Sequence, residues 1–179
     1  MSEEYRRARR IAYAAAFAAL LTVASYVSFA LPFTDVPFTL QVLVVLLAGY
    51  VLGPGLAVLS IVLYIVLGAV GVPVFAGGAA GIGVVLGPLG GYIIGWPFAA
   101  AIAGAFARHG IGLRLVGAAL GIVCVYAFGV TGLHIAQGVP WRTAVLVGAL
   151  PFLPFDALKG IVAALIAPSL RRLAAQQEA

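Results

Sequence analysis

Apolar residues occur in this chain in long blocks separated by short groups of glycine, proline and polar residues. A helix needs about 20 mainly apolar residues to cross a bilayer. On that basis the pattern predicts six spans, at about 9–31, 38–53, 55–71, 82–107, 112–136 and 143–168. Turn-forming or charged residues mark the breaks between them, at 31–37, 53–55, 71–81, 108–114 and 137–142. Since a segment in lipid must satisfy its own backbone hydrogen bonds, we expect all six spans to be helical.

Composition supports a membrane location. Of the 179 residues, 64% are hydrophobic and only 8% are charged, whereas about a quarter of a globular protein is charged. No Asp, Glu, Lys or Arg occurs between Asp35 and Arg108. The apolar run at 11–31 is longer than a typical signal-peptide core, so we interpret it as a retained first span. The sequence predicts an all-α integral membrane protein whose six transmembrane helices form a compact bundle, as a single domain over 1–179.

The net charge of +5 reflects membrane orientation better than it reflects nucleic-acid binding. Most basic residues lie in the end segments 6–10 and 171–172, and two more lie in the 108–114 linker. With an even number of spans, the positive-inside rule predicts that both termini are cytoplasmic. The linkers 32–37, 72–81 and 137–142 then face outside.

Two charged residues within the sixth span are the first candidates for chemistry. Asp156 and Lys159, the only lysine in the chain, are three residues apart and therefore share one helix face. Each costs about 2.5–3.5 kcal/mol near the middle of a membrane. Pro151 and Pro154 beside them favour a broken helix that lines a cavity. A structural alternative is a salt bridge that only attaches this span to its neighbour.

Small residues at four-residue spacing predict close helix contacts. Ala8, Ala12 and Ala16 form such a face on the first span, which would serve a partner subunit or the bundle itself. On the fourth span the residues in this spacing are Gly83, Gly87, Gly91, Gly95, Ala99 and Ala103. Tyr92 lies beside that stripe and could offer its hydroxyl to a pocket.

Several other chemistries are not supported by the residues. His109 and His134 have no second ligand at metal spacing, and Cys124 is the single cysteine. The sequence contains neither a Gly-x-x-x-x-Gly-Lys-Ser/Thr loop nor a Gly-x-Ser-x-Gly elbow. We therefore expect no metal, no cofactor and no ATP hydrolysis by this chain. An intramembrane enzyme that uses Asp156 as acid or base would lack a second carboxylate.

Four segments, in this order, resemble the BioY family. They are Val36-Pro37-Phe38-Thr39-Leu40-Gln41, Gly71-Val72-Pro73-Val74-Phe75-Ala76-Gly77-Gly78, Gly87-Pro88-Leu89-Gly90-Gly91-Tyr92 and the segment from Pro151 to Lys159. That family comprises the biotin-binding membrane subunits of energy-coupling factor importers. The resemblance extends from about residue 11 to 168. Phe155 stands where glycine commonly precedes the aspartate, and Leu89 where threonine is common, which puts the local shape of the pocket in doubt.

The resemblance implies a biotin site near the outer face, closed by the first and third inter-helix loops. It also implies that the first helix faces a coupling transmembrane subunit and that separate subunits hydrolyse ATP. The expected ligand contacts are Asp156, Lys159, Tyr92, Phe75, Gly78, Gln41, Phe38 and Thr39, and the expected partner contacts are Ala8, Ala12 and Ala16. Two other interpretations stay open, namely a sister subunit for another small vitamin and a structural or channel-like six-helix protein.

Overall fold

The computed structural model describes residues 3–176, which form eight α-helices, one short 3-10 helix and one β-hairpin. In chain order the elements are α1 (Glu3–Tyr26), β1 (Ser28–Leu31), β2 (Thr34–Thr39), α2 (Gln41–Leu52), α3 (Pro54–Ala69), the 3-10 helix (Ala76–Gly78), α4 (Ile82–Leu86), α5 (Gly90–Ala105), α6 (Ile111–Gln137), α7 (Trp141–Gly148) and α8 (Leu153–Gln176).

The helices correspond to the six predicted spans and confirm a helical membrane bundle, to which one β-hairpin is added. Three of them are long and apolar enough to cross a bilayer, namely Glu3–Tyr26, Ile111–Gln137 and Leu153–Leu173. The shorter apolar helices Gln41–Leu52, Pro54–Ala69 and Gly90–Ala105 correspond to the second, third and fourth spans. Large apolar side chains also cover the outside of the bundle. Val123, Leu158 and Leu165 are each more than half exposed, as expected where lipid rather than water is the solvent.

The fourth and sixth spans are each divided into two helices. The fourth breaks at 87–89, between α4 and α5, where Gly87 has an extended backbone and Pro88 has no N–H to continue the ladder. The sixth breaks at 149–152, where Pro151 lies between α7 and α8. This second break agrees with the expectation of a broken helix beside Asp156.

The end of the first span and the start of the second form a β-hairpin instead of helix. Strands β1 and β2 pair antiparallel, with Ser28 opposite Thr39 and Phe29 opposite Phe38. Pro32 lies in the tight turn, and Pro37 is tolerated because a two-stranded sheet consists of edge strands. The hairpin packs on the bundle, and the side chain of its own residue Val36 is buried.

Helix α5 lies at the centre of the bundle, where it packs against α2, α3 and α6. Small residues allow this close approach. A Cβ on Gly132 of α6 would lie 2.8 Å from the Cα of Gly91, and one on Gly49 of α2 would lie 2.9 Å from the Cβ of Ala103. The predicted glycine stripe is therefore a packing surface over α5. It does not extend into α4, where Gly83 has no atom near its Cβ position.

Candidate ligand-binding site

A cavity lies between the hairpin, the 72–81 loop and helices α2, α5, α6 and α8. Its lining consists of Val36, Pro37, Thr39, Gln41, Val42, Phe75, Ala76, Ala79, Val84, Leu89, Tyr92, Ile93, Trp96, Val125, Tyr126, Gly148, Phe152, Asp156 and Lys159. Most of these side chains are apolar, and a few polar groups converge among them. That combination is typical of small-molecule sites in proteins.

Asp156 and Lys159 lie side by side in the cavity wall. They occupy the inward stripe of α8, which continues with Ala163 and Ala167. Their exposed fractions are 4% and 8%, and the Lys159 Nζ lies 2.7 Å from the Asp156 Oδ1. Asp156 is also in the first turn of α8, where the helix dipole favours a negative charge. The cavity thus contains a buried ion pair.

Lys159 also connects α8 to the hairpin. Its ammonium group donates a hydrogen bond of 2.6 Å to the Thr39 carbonyl oxygen and lies 4.2 Å from the centroid of the Phe38 ring. The Phe38 ring in turn contacts the Phe155 ring edge-to-face, at 5.1 Å. Thr39 therefore lines the cavity, whereas Phe38 covers the ion pair from outside the lining.

Tyr126 is a site residue that the sequence analysis did not identify. Its hydroxyl donates a hydrogen bond of 2.6 Å to the Asp156 Oδ2, the carboxylate oxygen that Lys159 does not hold. In the sequence, Tyr126 stands out only as a hydroxyl group within an otherwise apolar span. Periodicity does not show which face of α6 meets α8, so the sequence does not indicate that this hydroxyl reaches Asp156. Trp96 was missed as well, although it lies one helical turn after Tyr92 on α5.

Gln41, Tyr64 and Phe75 form connected contacts at the opposite wall of the cavity. The Gln41 Nε2 donates to the Tyr64 hydroxyl at 2.8 Å, and that hydroxyl donates to the Val74 carbonyl at 2.7 Å. The Phe75 ring packs edge-to-face on Tyr64 at 5.6 Å. This chain of contacts attaches the 72–81 loop to α2 and α3.

Tyr92 has two roles in the geometry. Its ring lines the cavity, and its hydroxyl donates a hydrogen bond of 2.8 Å to the Gly148 carbonyl oxygen, at the end of α7. The hydroxyl thus satisfies backbone that the break in the sixth span leaves without a helical partner. The predicted residue Gly78 lies outside the lining, in the 72–81 loop, with φ +79° and next to the Tyr26 ring.

The small-residue face of α1 lies away from the cavity. Ala8, Ala12 and Ala16 are exposed, whereas Ala14, Ala18 and Leu21 on the other side of α1 are buried. Contact with the bundle is made mainly through α3. No other part of the described chain covers these three alanines, so this face of α1 is accessible.

Fold and cavity together define a polytopic helical membrane protein with a mainly apolar cavity near one end of the bundle. A model of the BioY family matches residues 1–176. The chain belongs to the BioY family, which confirms the resemblance seen in its four motifs.

Individual relatives agree with this assignment. The chain is 42% identical over 165 residues to the probable biotin transporter BioY of Pyrococcus horikoshii, covering 92% of this chain and 98% of that protein. It is 40% identical over 167 residues to the biotin transporter BioY of Thermotoga maritima, covering 92% and 97%. The fold is similar to a crystal structure of the S-component for biotin from an ECF-type ABC transporter. The TM-score is 0.87, with 27% identity over 96% of this chain and 95% of that one.

Proposed function

We propose that this chain is the substrate-capturing membrane subunit of an energy-coupling factor importer and that its ligand is biotin. One observation carries the proposal beyond family membership: the Asp156–Lys159 pair lies inside an apolar cavity. A purely structural bridge would not need to line a cavity. The names of the relatives and of the similar structure support the same ligand.

The chemistry of the cavity suits biotin. Biotin joins a cyclic urea and an apolar thioether ring to a short chain that ends in a carboxylate. Asp156 can accept hydrogen bonds from the urea N–H groups, and Lys159 can donate to the urea oxygen or to the carboxylate. Trp96, Phe75 and Val125 supply apolar walls for the ring and chain. Phe38, Thr39, Gln41, Tyr92 and Gly78 belong to the proposed site as direct contacts or as its cover.

Equilibrium binding of labelled biotin to the purified protein in detergent tests the function. We expect saturable binding that unlabelled biotin displaces and that thiamine and riboflavin do not. Displacement by another vitamin but not by biotin would favour the sister-subunit alternative. Failure to bind any vitamin, by a protein that unfolds cooperatively, would favour the structural alternative.

A biotin analogue distinguishes the two possible orientations of biotin in the cavity, with either the carboxylate or the urea oxygen at Lys159. Biotin methyl ester keeps the urea and the thioether ring but lacks the carboxylate charge. If Lys159 binds the carboxylate, Lys159→Met should weaken binding of biotin much more than binding of the ester. If Lys159 binds the urea oxygen, both ligands should lose affinity equally.

A coupling subunit is the proposed partner for the exposed face of α1. Ala12→Trp and Ala16→Trp place bulk where a partner helix would approach closely. We expect both variants to lose transport and to keep biotin binding. Leu165→Trp is the matched control because Leu165 is 59% exposed on a different helix. It should keep both activities, and equal loss of transport there would contradict the partner assignment.

A further inference from the structure

A second, shallow cavity opens at the end of the bundle where α1 begins and α8 ends. It is lined by Arg108, His109, Arg114, Arg171 and Arg172, together with Ala107 and Pro168. Among the described residues, no carboxylate lines it. The positive-inside rule accounts for basic residues at this end of a membrane protein. It does not require four arginines to line one depression of the surface.

The fold holds the side chain of Arg171 and the backbone of Arg114 in place. The Arg171 Nη1 donates a hydrogen bond of 2.7 Å to the Ala107 carbonyl oxygen, which joins α8 to the turn that follows α5. The Arg114 carbonyl oxygen accepts a hydrogen bond from the Tyr50 hydroxyl. Within the part of the chain that the structure describes, the buried Nε of Arg114 has no hydrogen-bond partner. A buried donor of this kind is costly unless another group accepts from it.

The start of α6 adds a second reason for an anion here. Helix α6 begins at Ile111, and its N-cap residue Gly110 has no side chain to accept from the first N–H groups. Arg114 lies in the first turn, where the helix dipole disfavours a positive charge. An anion held by the Arg114 side chain would offset this unfavourable charge arrangement at the start of the helix.

We propose that this cavity binds the phosphate group of an anionic membrane phospholipid. Guanidinium groups match phosphate oxygens in geometry better than ammonium groups do. Exposed apolar side chains adjoin these arginines in the chain: Leu113 precedes Arg114, Leu170 precedes Arg171 and Leu173 follows Arg172, with 47%, 37% and 60% exposure. Such side chains suit acyl chains and would be unnecessary for free phosphate. Basic pockets between membrane helices hold lipid head groups in the same way.

Thermal unfolding of the purified chain in neutral detergent tests the proposal, with phosphatidylglycerol, phosphatidylcholine or inorganic phosphate added at constant ionic strength. We expect phosphatidylglycerol to raise the midpoint in a saturable way and the other two to have little effect. In the double variant Arg108→Gln with Arg172→Gln, the half-saturating lipid concentration should rise about thirtyfold, at about 1 kcal/mol for each charge removed. Both side chains are exposed, so the variant should fold. The single variant Arg108→Gln measures the contribution of one of the two charges to lipid binding.

Arg142→Gln is the matched control because Arg142 is an exposed arginine at the start of α7, away from the cavity. It should respond to phosphatidylglycerol like the wild type. An equal shift with phosphatidylcholine would overturn the proposal, as would an unchanged response of the double variant or an equal loss in Arg142→Gln. A full shift with inorganic phosphate would overturn the lipid as the source of the anion.

Discussion

Lys159 contacts the Asp156 carboxylate, the Thr39 carbonyl and the Phe38 ring at the same time. An ammonium group has three donors, so these contacts leave little capacity for a further ligand group. Biotin would therefore have to replace at least one of them. The contact to Thr39 is the one that joins α8 to the hairpin, so its replacement would couple ligand binding to the position of the hairpin.

The pair can be tested at the residue scale by removing each charge. Asp156→Asn and Lys159→Ala should each weaken biotin binding by about tenfold or more, because each removes a charge-assisted hydrogen bond worth roughly 1.5–3 kcal/mol. Binding and thermal stability must both be measured, since removing one partner also leaves the other charge buried and unpaired.

A double variant distinguishes the two interpretations of the pair. Asp156→Asn combined with Lys159→Met removes both charges, so stability should recover relative to the single variants. Under our assignment, biotin binding stays lost. A stable double variant that binds biotin with wild-type affinity would show that the pair is structural.

The hydrogen bond from Tyr126 to Asp156 leads us to propose Tyr126 as a positioning residue for that carboxylate. Tyr126→Phe should weaken biotin binding by up to about tenfold, because the carboxylate loses the donor that orients its Oδ2. Tyr50→Phe is the matched control, since it removes a hydroxyl bonded to the Arg114 carbonyl, distant from the cavity. The control should lose stability but keep its affinity. Equal affinities for wild type and Tyr126→Phe would contradict the assigned role.

At the scale of elements, the cavity is covered by two segments outside the α-helices, the β-hairpin and the 72–81 loop. The hairpin is held through Thr39, and the 72–81 loop is held by bonds from Tyr26 to the Pro73 carbonyl and from Gly81 to the Gly68 carbonyl, of 2.6 and 2.7 Å. Gly77 and Gly81 have positive φ, so parts of the loop depend on glycine. These features favour a cover that opens without unfolding of the bundle.

Hydrogen exchange measures this directly. We expect biotin to slow exchange at the amides of residues 75–80 and of β2, because ligand contacts restrict both segments. The 53–55 linker at the other end of the bundle is the internal control and should not change. If protection over 75–80 were the same with and without biotin, the loop would not act as a lid.

At the scale of the whole molecule, the two ends of the bundle differ in charge and in contacts. Asp35 lies beside Gln137, with 2.7 Å between the carboxylate Oδ2 and the amide Nε2, at the end that contains the cavity. Arg9, Arg10 and Arg171 line a common groove at the other end. The positive-inside rule predicts that this basic end is cytoplasmic.

Cysteine labelling tests the orientation in a Cys124→Ala background. Positions 35 and 110 are both exposed at the surface of the protein. A membrane-impermeant thiol reagent added to intact cells should modify a cysteine at 35 and should modify one at 110 only after the membrane is permeabilised. A cysteine at 142 should react like the one at 35. The reverse pattern would invert the topology.

Sequence patterns determined much of this protein. Apolar block length and the near absence of charge predicted the membrane bundle, because lipid leaves a helix few alternatives. The cost of burying charge singled out Asp156 and Lys159, and ordered motifs identified the family. These inferences depend on properties local to one segment.

The remaining features depend on which faces of different segments meet, and only the tertiary structure decided them. Tyr126 reaches Asp156 across 30 residues, and Thr39 reaches Lys159 across 120. The hairpin replaced predicted helix because tertiary contacts, such as the burial of Val36, outweigh the apolar pattern there. The four arginines of the second cavity come from separate parts of the chain, and the packing of α8 against α6, together with the bond from Arg171 to the Ala107 carbonyl, brings them together.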